Sequence, residues 1–328
     1  MALNSAQVQV YIYEGTSGSY SGTDLKYTIQ NSLIGTDTNI VFEIGELVRD
    51  YLDVSFNNDY LSRSIWVTTV ATLLDENNTV FTYGSPVTET YIAFDGFGFF
   101  EDEANPQLST DALITANTIY LPENTAGKLP IFAEGVGKYI IDSTTTQVTD
   151  SGNSNQKIQY ITVPANSSTI QIYATDDSTL KKTINVINVC EPKFTPYKVT
   201  FINRMGCFQD LWFFKKTTES FSVTDETFKK NTIANNTATY LVSSSQKERY
   251  NTNATKNIKL NTGFINEDSN STIEELFLSE NVWIRYGSDT LPVIPKTKSL
   301  TLKTSLNDNL ANYTVDFDFA FNKINNVR

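Results

Sequence analysis

The residue types that carry most enzyme chemistry are sparse in this chain. Histidine is absent from all 328 residues, which excludes a Ser-His-Asp triad, a Cys-His pair and any histidine-ligated metal within the chain. Cys190 and Cys207 are the only two cysteines, too few ligands for a zinc site. They could meet across neighbouring strands as a disulfide or stay as two buried, reduced thiols, and the sequence leaves both arrangements open.

Carboxylates are the remaining groups that could act chemically. Glu101, Asp102 and Glu103 are consecutive, whereas a glycosidase needs an acid and a carboxylate that face each other across the sugar. A solvated acidic loop is therefore the better interpretation. Asp316 and Asp318 share one face of a predicted strand, where they could hold calcium or simply face water. We expect no cofactor and no small-molecule substrate, and we predict that the protein is not an enzyme.

Charge and targeting signals narrow the possible partners. The net charge is −12 and the pI is near 4.6, which argues against nucleic acid because phosphate binding needs clustered Lys and Arg. The first residues lack the basic and apolar regions of a secretory signal. No stretch approaches the roughly 20 apolar residues of a membrane helix. We therefore expect a soluble protein made in a cytoplasm, without a membrane as partner.

Composition indicates folded β structure. Hydrophobic residues make up 40% of the chain and charged residues only 19%, so Asn, Ser and Thr must cover much of the surface. Such uncharged surfaces suit strands better than exposed helices. We predict a mainly β protein of several β-sandwich modules with a few short helices. The predicted domains are a β domain with one short helix over 1–106, a small immunoglobulin-like β-sandwich over 107–190 and a C-terminal β domain over 191–328.

In the first two domains, apolar runs between turn residues predict the strands. A helix is predicted over Phe42–Asp53, where apolar residues recur at spacings of three and four. The run Ile65–Leu74 predicts a strand around Trp66, a candidate core anchor. Gly96 and Gly98 interrupt an aromatic run and predict a bulged strand whose backbone bends or approaches another surface. Further strands are predicted at 7–12, 25–29, 80–83, 118–121, 129–132, 139–141, 158–163, 169–174 and 182–189.

The aromatic stretch Tyr197–Phe214 predicts a hairpin that begins the C-terminal domain. Its first half alternates between apolar and polar residues, and Asn203–Gly206 supplies turn-forming residues. Leu211–Phe214 is continuously apolar, which is typical of a strand covered on both faces. Trp212 and Phe213 are therefore candidate core anchors.

Later elements of this domain follow the same rules. A helix is predicted over Ser271–Ser279, where Glu274 and Glu275 complement the N-terminal dipole. The strand after it carries Trp283, the last candidate core anchor. Leu291–Pro295 is predicted as an edge segment because proline cannot donate a ladder hydrogen bond. Two further strands are predicted at 299–304 and 313–321.

A long polar segment, Thr217–Gly263, has too few apolar residues for a core of its own. It is either an excursion that packs on a neighbour or a set of exposed strands of the same sandwich. Within it Asn257, Ile258, Lys259 and Leu260 alternate like a strand without an obvious partner in the chain. These four residues form the candidate assembly segment, which would add a strand to a neighbouring sheet.

Five stretches of the sequence carry a family resemblance: FEIGELVRDYL, AFDGFGFFED, VTFINRMGCFQDLWFF, FLSENVWI and NYTVDFDFAFNKINNVR. Together they resemble virion structural proteins of tailed bacteriophages, particularly phages of Bacteroidetes-type hosts. The resemblance covers the first domain and much of the last, and it leaves the middle module unassigned. The shared stretches are packing and turn motifs, so no functional residue is carried over from the family.

The resemblance implies a tail, baseplate or neck component, assembled in the host cytoplasm and located in the virion. Its expected partners are further copies of itself in a symmetric ring and other virion proteins. An alternative is a carbohydrate-binding adhesin or receptor-binding module on a phage or cell surface. Tyr11, Tyr20 and Tyr286 are the candidate residues for stacking on sugar rings in that case.

Overall fold

A computed structural model describes residues 3–35, 38–80, 86–103, 110–233, 238–297, 299, 301 and 310–324. Among the described residues, strands account for 51% and helices for 8%. The mainly β, multidomain β-sandwich class with a few short helices is confirmed. Within these ranges no helix is long and apolar enough to cross a membrane. The predicted strand segments 81–83 and most of 299–304 lie outside the described residues.

Backbone contacts group the chain into two compact units. Unit 1 contains Met1–Cys190, Thr200–Leu211 and Asp268–Glu280. Unit 2 contains Glu191–Val199, Trp212–Glu267 and Asn281–Arg328. Unit 1 is thus discontinuous, because the chain leaves it and returns to it twice. The turn of the hairpin predicted to begin the C-terminal domain lies in unit 1, and the three-domain division at 106 and 191 stays a prediction.

Unit 1 begins with a four-stranded antiparallel sheet in the order β2-β1-β3-β4. Its strands are β1 (Leu3–Tyr13), β2 (Leu25–Ser32), β3 (Ile65–Asp75) and β4 (Val87–Ala93). Alternate residues of β1 form a buried apolar face, as the period of two predicts, with Val10 fully buried. Trp66 on β3 is buried as well, and its indole N–H donates to the Gly15 carbonyl at 3.1 Å.

The first helix is shorter than predicted. α1 spans Gly45–Arg49, whereas the sequence predicts a helix over Phe42–Asp53. Ile44 precedes α1 and makes no side-chain cap. After the helix, the N–H groups of Tyr51 and Leu52 donate to carbonyls three residues back, as in turns. Without a cap and with glycine as its first residue, the segment lacks the propensity for a longer helix.

Residues 118–189 form seven strands. They are β5 (Thr118–Pro122), β6 (Gly127–Phe132), β7 (Lys138–Ile141), β8 (Thr144–Gln147), β9 (Ile158–Val163), β10 (Thr169–Tyr173) and β11 (Leu180–Val189). One sheet has the order β5-β11-β10-β7-β8, and β6 pairs with β9. All six strands predicted here are confirmed. β8 was not predicted, because its four residues are all exposed and polar and show no apolar alternation.

The predicted hairpin consists of β12 (Tyr197–Ile202) and β13 (Phe208–Phe213). Its turn is organised by Asn203, whose side chain is buried. The Oδ1 atom of Asn203 accepts the N–H groups of Met205 and Cys207, each at 3.1 Å. Its amide group donates to the Leu113 carbonyl at 2.7 Å. A single buried amide therefore closes the turn and ties it to another part of unit 1.

Gly96 and Gly206 allow this turn to pack closely against the segment that follows β4. A Cβ on Gly96 would lie 2.6 Å from the Arg204 carbonyl oxygen, and one on Gly206 would lie 2.8 Å from the Asp95 nitrogen. The Phe97 N–H donates to the Arg204 carbonyl at 2.8 Å. The predicted close approach at Gly96 is confirmed. The bulged strand is wrong, since β4 ends before the glycines and the aromatic run continues without strand pairing.

α2 spans Asn270–Leu278, within one residue of the prediction at both ends. Glu275 was predicted to complement the helix dipole, but its side chain is buried in unit 1. It accepts hydrogen bonds from the Thr115 hydroxyl at 2.5 Å and the Arg204 N–H at 3.4 Å. Burial raises the pKa of this carboxyl group, which the hydrogen bonds only partly offset. Glu275 therefore connects the helix to two other segments of the unit.

Unit 2 is built on five strands: β14 (Thr218–Lys229), β15 (Lys247–Asn266), β16 (Val282–Tyr286), β17 (Asp289–Pro295) and β18 (Leu310–Asn322). These strands pair in the order β16-β17-β18-β15-β14, and the residues of β12 that lie in unit 2 continue the sheet beyond β16. The predicted edge position of Leu291–Pro295 is wrong. β17 lies between β16 and β18, and its pairing with β18 covers only Val293, Ile294 and Pro295, so few N–H donors are required there.

The candidate anchors of unit 2 differ in burial. Phe213 is 1% exposed and packs edge-on against Phe317, with ring centroids 6.0 Å apart. Trp283 is also buried. Trp212 is only partly buried, contrary to the prediction, because neighbouring side chains of a strand point to opposite faces. The two faces of the continuous apolar run Leu211–Phe214 are therefore not equally buried.

Cys190 and Cys207 form no disulfide: Cys190 is exposed, whereas Cys207 is buried. The expectation of two buried thiols is thus wrong for Cys190. Burial raises the pKa of the Cys207 thiol well above its ordinary value, which further suppresses the reactive thiolate.

We expect one thiol equivalent to react rapidly with a disulfide reagent in the folded protein and the second only after denaturation. Cys190→Ser is expected to abolish the fast phase; two fast equivalents in the unmodified protein would contradict this assignment.

Candidate assembly surface

The candidate assembly segment does not lie at a sheet edge. Asn257–Leu260 belongs to β15, which pairs with β14 on one side and with β18 on the other. Ile258 and Leu260 are fully buried. The prediction of an unpaired strand is therefore wrong. Its partner in β18 lies far along the chain, with Leu260 opposite Val315, and a local pattern cannot reveal such a distant pairing.

The polar face of this segment is occupied by pairs within unit 2. The Asn257 amide donates to Asp318, and the Lys259 ammonium lies 3.3 Å from an Asp316 carboxylate oxygen. Lys296 approaches Asp318 at 3.6 Å. Among the described residues no group of three or more Cys, Asp or Glu side chains could hold a metal ion. Asp316 and Asp318 are thus not part of a set of ligands that could bind calcium. Both carboxylates lie on a half-exposed strand surface, where they face cations.

The edge of the sheet is β14. All twelve residues of Thr218–Lys229 are exposed, and among the described residues β14 pairs only with β15. Every second residue of such an edge directs its N–H and C=O groups away from the sheet. The register shifts between Thr224 and Glu226, so the regular part of the edge is Thr218–Thr224. Seven residues extend over about 23 Å, enough for a further strand.

An apolar groove, here called the ribbon groove, lies on one face of this edge. Its apolar lining comes from Phe221, Val223, Ala254 and Ile324, and its volume is about 480 Å³. Phe221 is 72% exposed. Val223 lies opposite Ala254 in the ladder, so both side chains share one face. Large exposed apolar side chains at an unpaired sheet edge are a feature of interaction sites.

Cations rim the ribbon groove. Arg249, Lys256 and Lys323 contribute to its lining, and no described lining residue is acidic. Arg249 bonds Asp225 at 2.7 Å, and Lys256 bonds Glu219 at 2.8 Å. In a chain of net charge −12, a groove with three lining cations is a local exception. Because Arg249 and Lys256 are already paired with carboxylates, Lys323 is the lining cation that favours an acidic group at the margin of an apolar ligand.

A small network holds Lys256 in place. Its ammonium donates to the Tyr286 hydroxyl at 2.7 Å, and that hydroxyl donates to Glu219 at 2.8 Å. Burial acts to raise the pKa of Glu219, but the bonds from Lys256 and Tyr286 outweigh it and leave the pKa below its ordinary value. The interaction therefore contributes stability above the unfolded-state pKa of Glu219, and that contribution is lost as the pH falls through the lowered folded-state value.

The tyrosines proposed for sugar stacking are engaged in internal packing. The rings of Tyr11 and Tyr20 lie 4.5 Å apart and are tilted against each other. Tyr286 stacks on Tyr197 at 6.2 Å and meets Phe319 edge-on at 5.7 Å. All three candidates are partly buried. Their faces are therefore not presented as an open aromatic platform.

Unit 1 contains a cleft of about 560 Å³ beside α1. Its cationic side chain, Arg49, lies 3.1 Å from Asp95 and 2.7 Å from Glu280. Glu43 and Glu46 also line the cleft. The one lining arginine is thus already paired with two carboxylates.

Comparison with protein-family models, with curated proteins and with solved structures finds no match for this chain.

Proposed function

We propose that this protein is a structural component of a tailed bacteriophage particle, in the tail, baseplate or neck. It acts by self-assembly and by contacts with other virion proteins, and not by catalysis. Its copies form a symmetric ring in the virion, after assembly in the host cytoplasm.

The observation that carries this proposal is the exposed edge strand β14. The regular stretch Thr218–Thr224 pairs with β15 on one side, and its other side meets no strand among the described residues. Next to an apolar groove, such an edge is suited to strand addition, in which main-chain hydrogen bonds give strength and side-chain pockets give specificity. The resemblance of five sequence stretches to phage virion proteins supports the biological setting. The assembly surface is thus the β14 edge rather than the buried Asn257–Leu260 segment.

A pair of deletions tests this role. Replacing residues 225–252 by Asn-Gly joins Thr224 to Asn253, which lie opposite each other in the ladder, through a turn that suits a two-residue hairpin. The pairing of β15 with β18 from Thr255 onward is kept. Because this deletion keeps Thr218–Thr224, the same variant also carries Phe221→Lys and Val223→Lys, which place charges on the edge and remove two apolar side chains of the groove. We expect a folded protein whose self-association is lost. Light scattering and negative-stain microscopy measure the loss.

The matched control removes the end of the hairpin and keeps the edge. Replacing residues 230–246 by Asn-Gly joins Lys229 to Lys247, which also lie opposite each other. This variant is expected to assemble like the full chain. Assembly of the first variant at the concentrations where the full chain assembles would refute the role of the edge. A full chain that stays monomeric throughout would refute the proposed self-assembly itself.

A further inference from the structure

One aromatic side chain of unit 1 is wholly exposed. Phe100 has 100% of its surface accessible, although a phenylalanine normally gains free energy by burial. It is followed by Glu101, Asp102 and Glu103, of which Glu101 and Glu103 are exposed. An apolar residue at the tip of an acidic turn is therefore presented to solvent.

The turn that carries Phe100 is held by a hydrogen bond, an ion pair and a cation–π contact. Phe100–Asp102 forms a single 3-10 turn, and Asp102 accepts the Phe99 N–H at 2.7 Å. The Asp102 carboxylate also pairs with the Arg204 guanidinium at 2.5 Å. That guanidinium lies over the Phe99 ring, 4.3 Å from its centroid. These contacts hold the backbone that carries Phe100, and a side chain presented by a preorganised backbone loses less conformational freedom when it binds.

We propose that Phe100 of one copy inserts into the ribbon groove of a neighbouring copy. The inference rests on the self-assembly proposed above and names the side chain that enters the groove beside the β14 edge. The phenyl ring occupies the apolar floor formed by Phe221, Val223, Ala254 and Ile324, and Glu101 lies at the rim near Lys323. A buried aromatic anchor within a charged rim is the usual composition of a binding hot spot.

The complementary composition of the two surfaces favours the Phe100 turn as the occupant of the ribbon groove. The groove has an apolar centre with Lys323 at its rim, and the Phe100 turn has an apolar centre with the exposed Glu101 and Glu103 beside it. The two surfaces are different patches, so the contact is heterologous. Heterologous contacts between identical chains propagate head to tail, and they close into rings when the rotation between copies permits.

The first test removes the aromatic anchor. Phe100→Ser is expected to weaken self-association by about 30-fold or more, the effect of losing a hot-spot residue. Val41→Ser removes another exposed apolar side chain of unit 1, 79% accessible, and is expected to change the dissociation constant by less than about twofold. Sedimentation equilibrium of the full-length variants gives both constants. Because Phe100 is fully exposed, the thermal stability of Phe100→Ser should equal that of the unmodified protein.

The second test asks whether the charges face each other. Glu101→Lys and Lys323→Glu should each weaken association, and the double variant should recover at least part of the loss. Unchanged association of Phe100→Ser, with assembly of the full chain intact, would overturn the insertion and leave the proposed function standing. Absence of rescue in the charge pair would overturn the assignment of the rim contact. A monomeric full chain would overturn the insertion together with the proposed self-assembly.

Discussion

Gly206→Ala is expected to lower the free energy of unfolding by about 3 kcal/mol. Gly206 has a φ of +75°, which disfavours any residue with a Cβ. The added methyl group would also lie 2.8 Å from both the Asp95 nitrogen and the Phe94 Cβ. The first effect amounts to about 1–2 kcal/mol and the overpacking to about 1–3 kcal/mol. Chemical denaturation followed by circular dichroism measures the sum.

Gly18→Ala is the matched control for this substitution. Gly18 has a φ of +76°, but a Cβ there would meet nothing within 4 Å. We expect it to cost about 1 kcal/mol, from the backbone conformation alone. Equal losses for the two variants would show that the contact between residues 94–97 and 204–206 is loose, and would contradict the packing described for this turn.

Phe213→Ala is expected to cost about 3–5 kcal/mol, the range for removing a buried phenylalanine. Its ring is 1% exposed and packs edge-on against Phe317, so truncation leaves a cavity that rigid neighbouring strands cannot fill. Denaturation monitored by circular dichroism again measures the loss.

Trp212→Ala provides the comparison at the neighbouring position. Trp212 is only partly buried, and its indole nitrogen is buried without a hydrogen-bond partner within the part of the chain that the structure describes. Truncation therefore breaks no hydrogen bond there and removes an unsatisfied donor. We expect a loss of no more than about 2 kcal/mol. A larger loss for Trp212→Ala than for Phe213→Ala would reverse this assignment of the core.

Local patterns in the sequence were sufficient to predict most strands. The alternation in β1 and the runs of residues 118–189 correspond to strands that the structure contains, because burial of one face imposes a period of two. α2 was predicted to within one residue, from its apolar spacing and polar start. The length of α1 was not predicted correctly, because apolar residues beyond both ends of the helix also pack against the sheet and produce the pattern of a longer helix.

Partners that are distant in sequence could not be predicted. β15 was expected to lack a partner, yet it lies between β14 and β18. The composition of β14 is polar because all its residues are exposed, and the strand was therefore difficult to distinguish from a loop. The ribbon groove depends on Val223, Ala254 and Ile324 coming together, and only the three-dimensional pairing reveals that proximity.

Buried polar residues were also missed. Glu275 looks like an ordinary helix-surface acid in the sequence, but tertiary hydrogen bonds from Thr115 and Arg204 hold it inside unit 1. Lys157 has a fully buried side chain, paired with Glu134 and Asp150. Local composition assigns such residues to the surface, because charged groups are rarely buried without specific partners.

The discontinuity of unit 1 has a consequence for folding during synthesis. α2 leaves the ribosome about 90 residues after Cys190, which corresponds to about 5–20 s of translation. Until then the Thr115 hydroxyl lacks Glu275, and until residues 200–211 emerge the Leu113 carbonyl lacks the Asn203 amide. Part of the interior of the nascent N-terminal segment therefore stays exposed to solvent until these later residues have emerged. Completion of unit 1 is delayed until β14 and β15 of unit 2 have been synthesised, so unit 1 cannot finish folding before the synthesis of unit 2 begins.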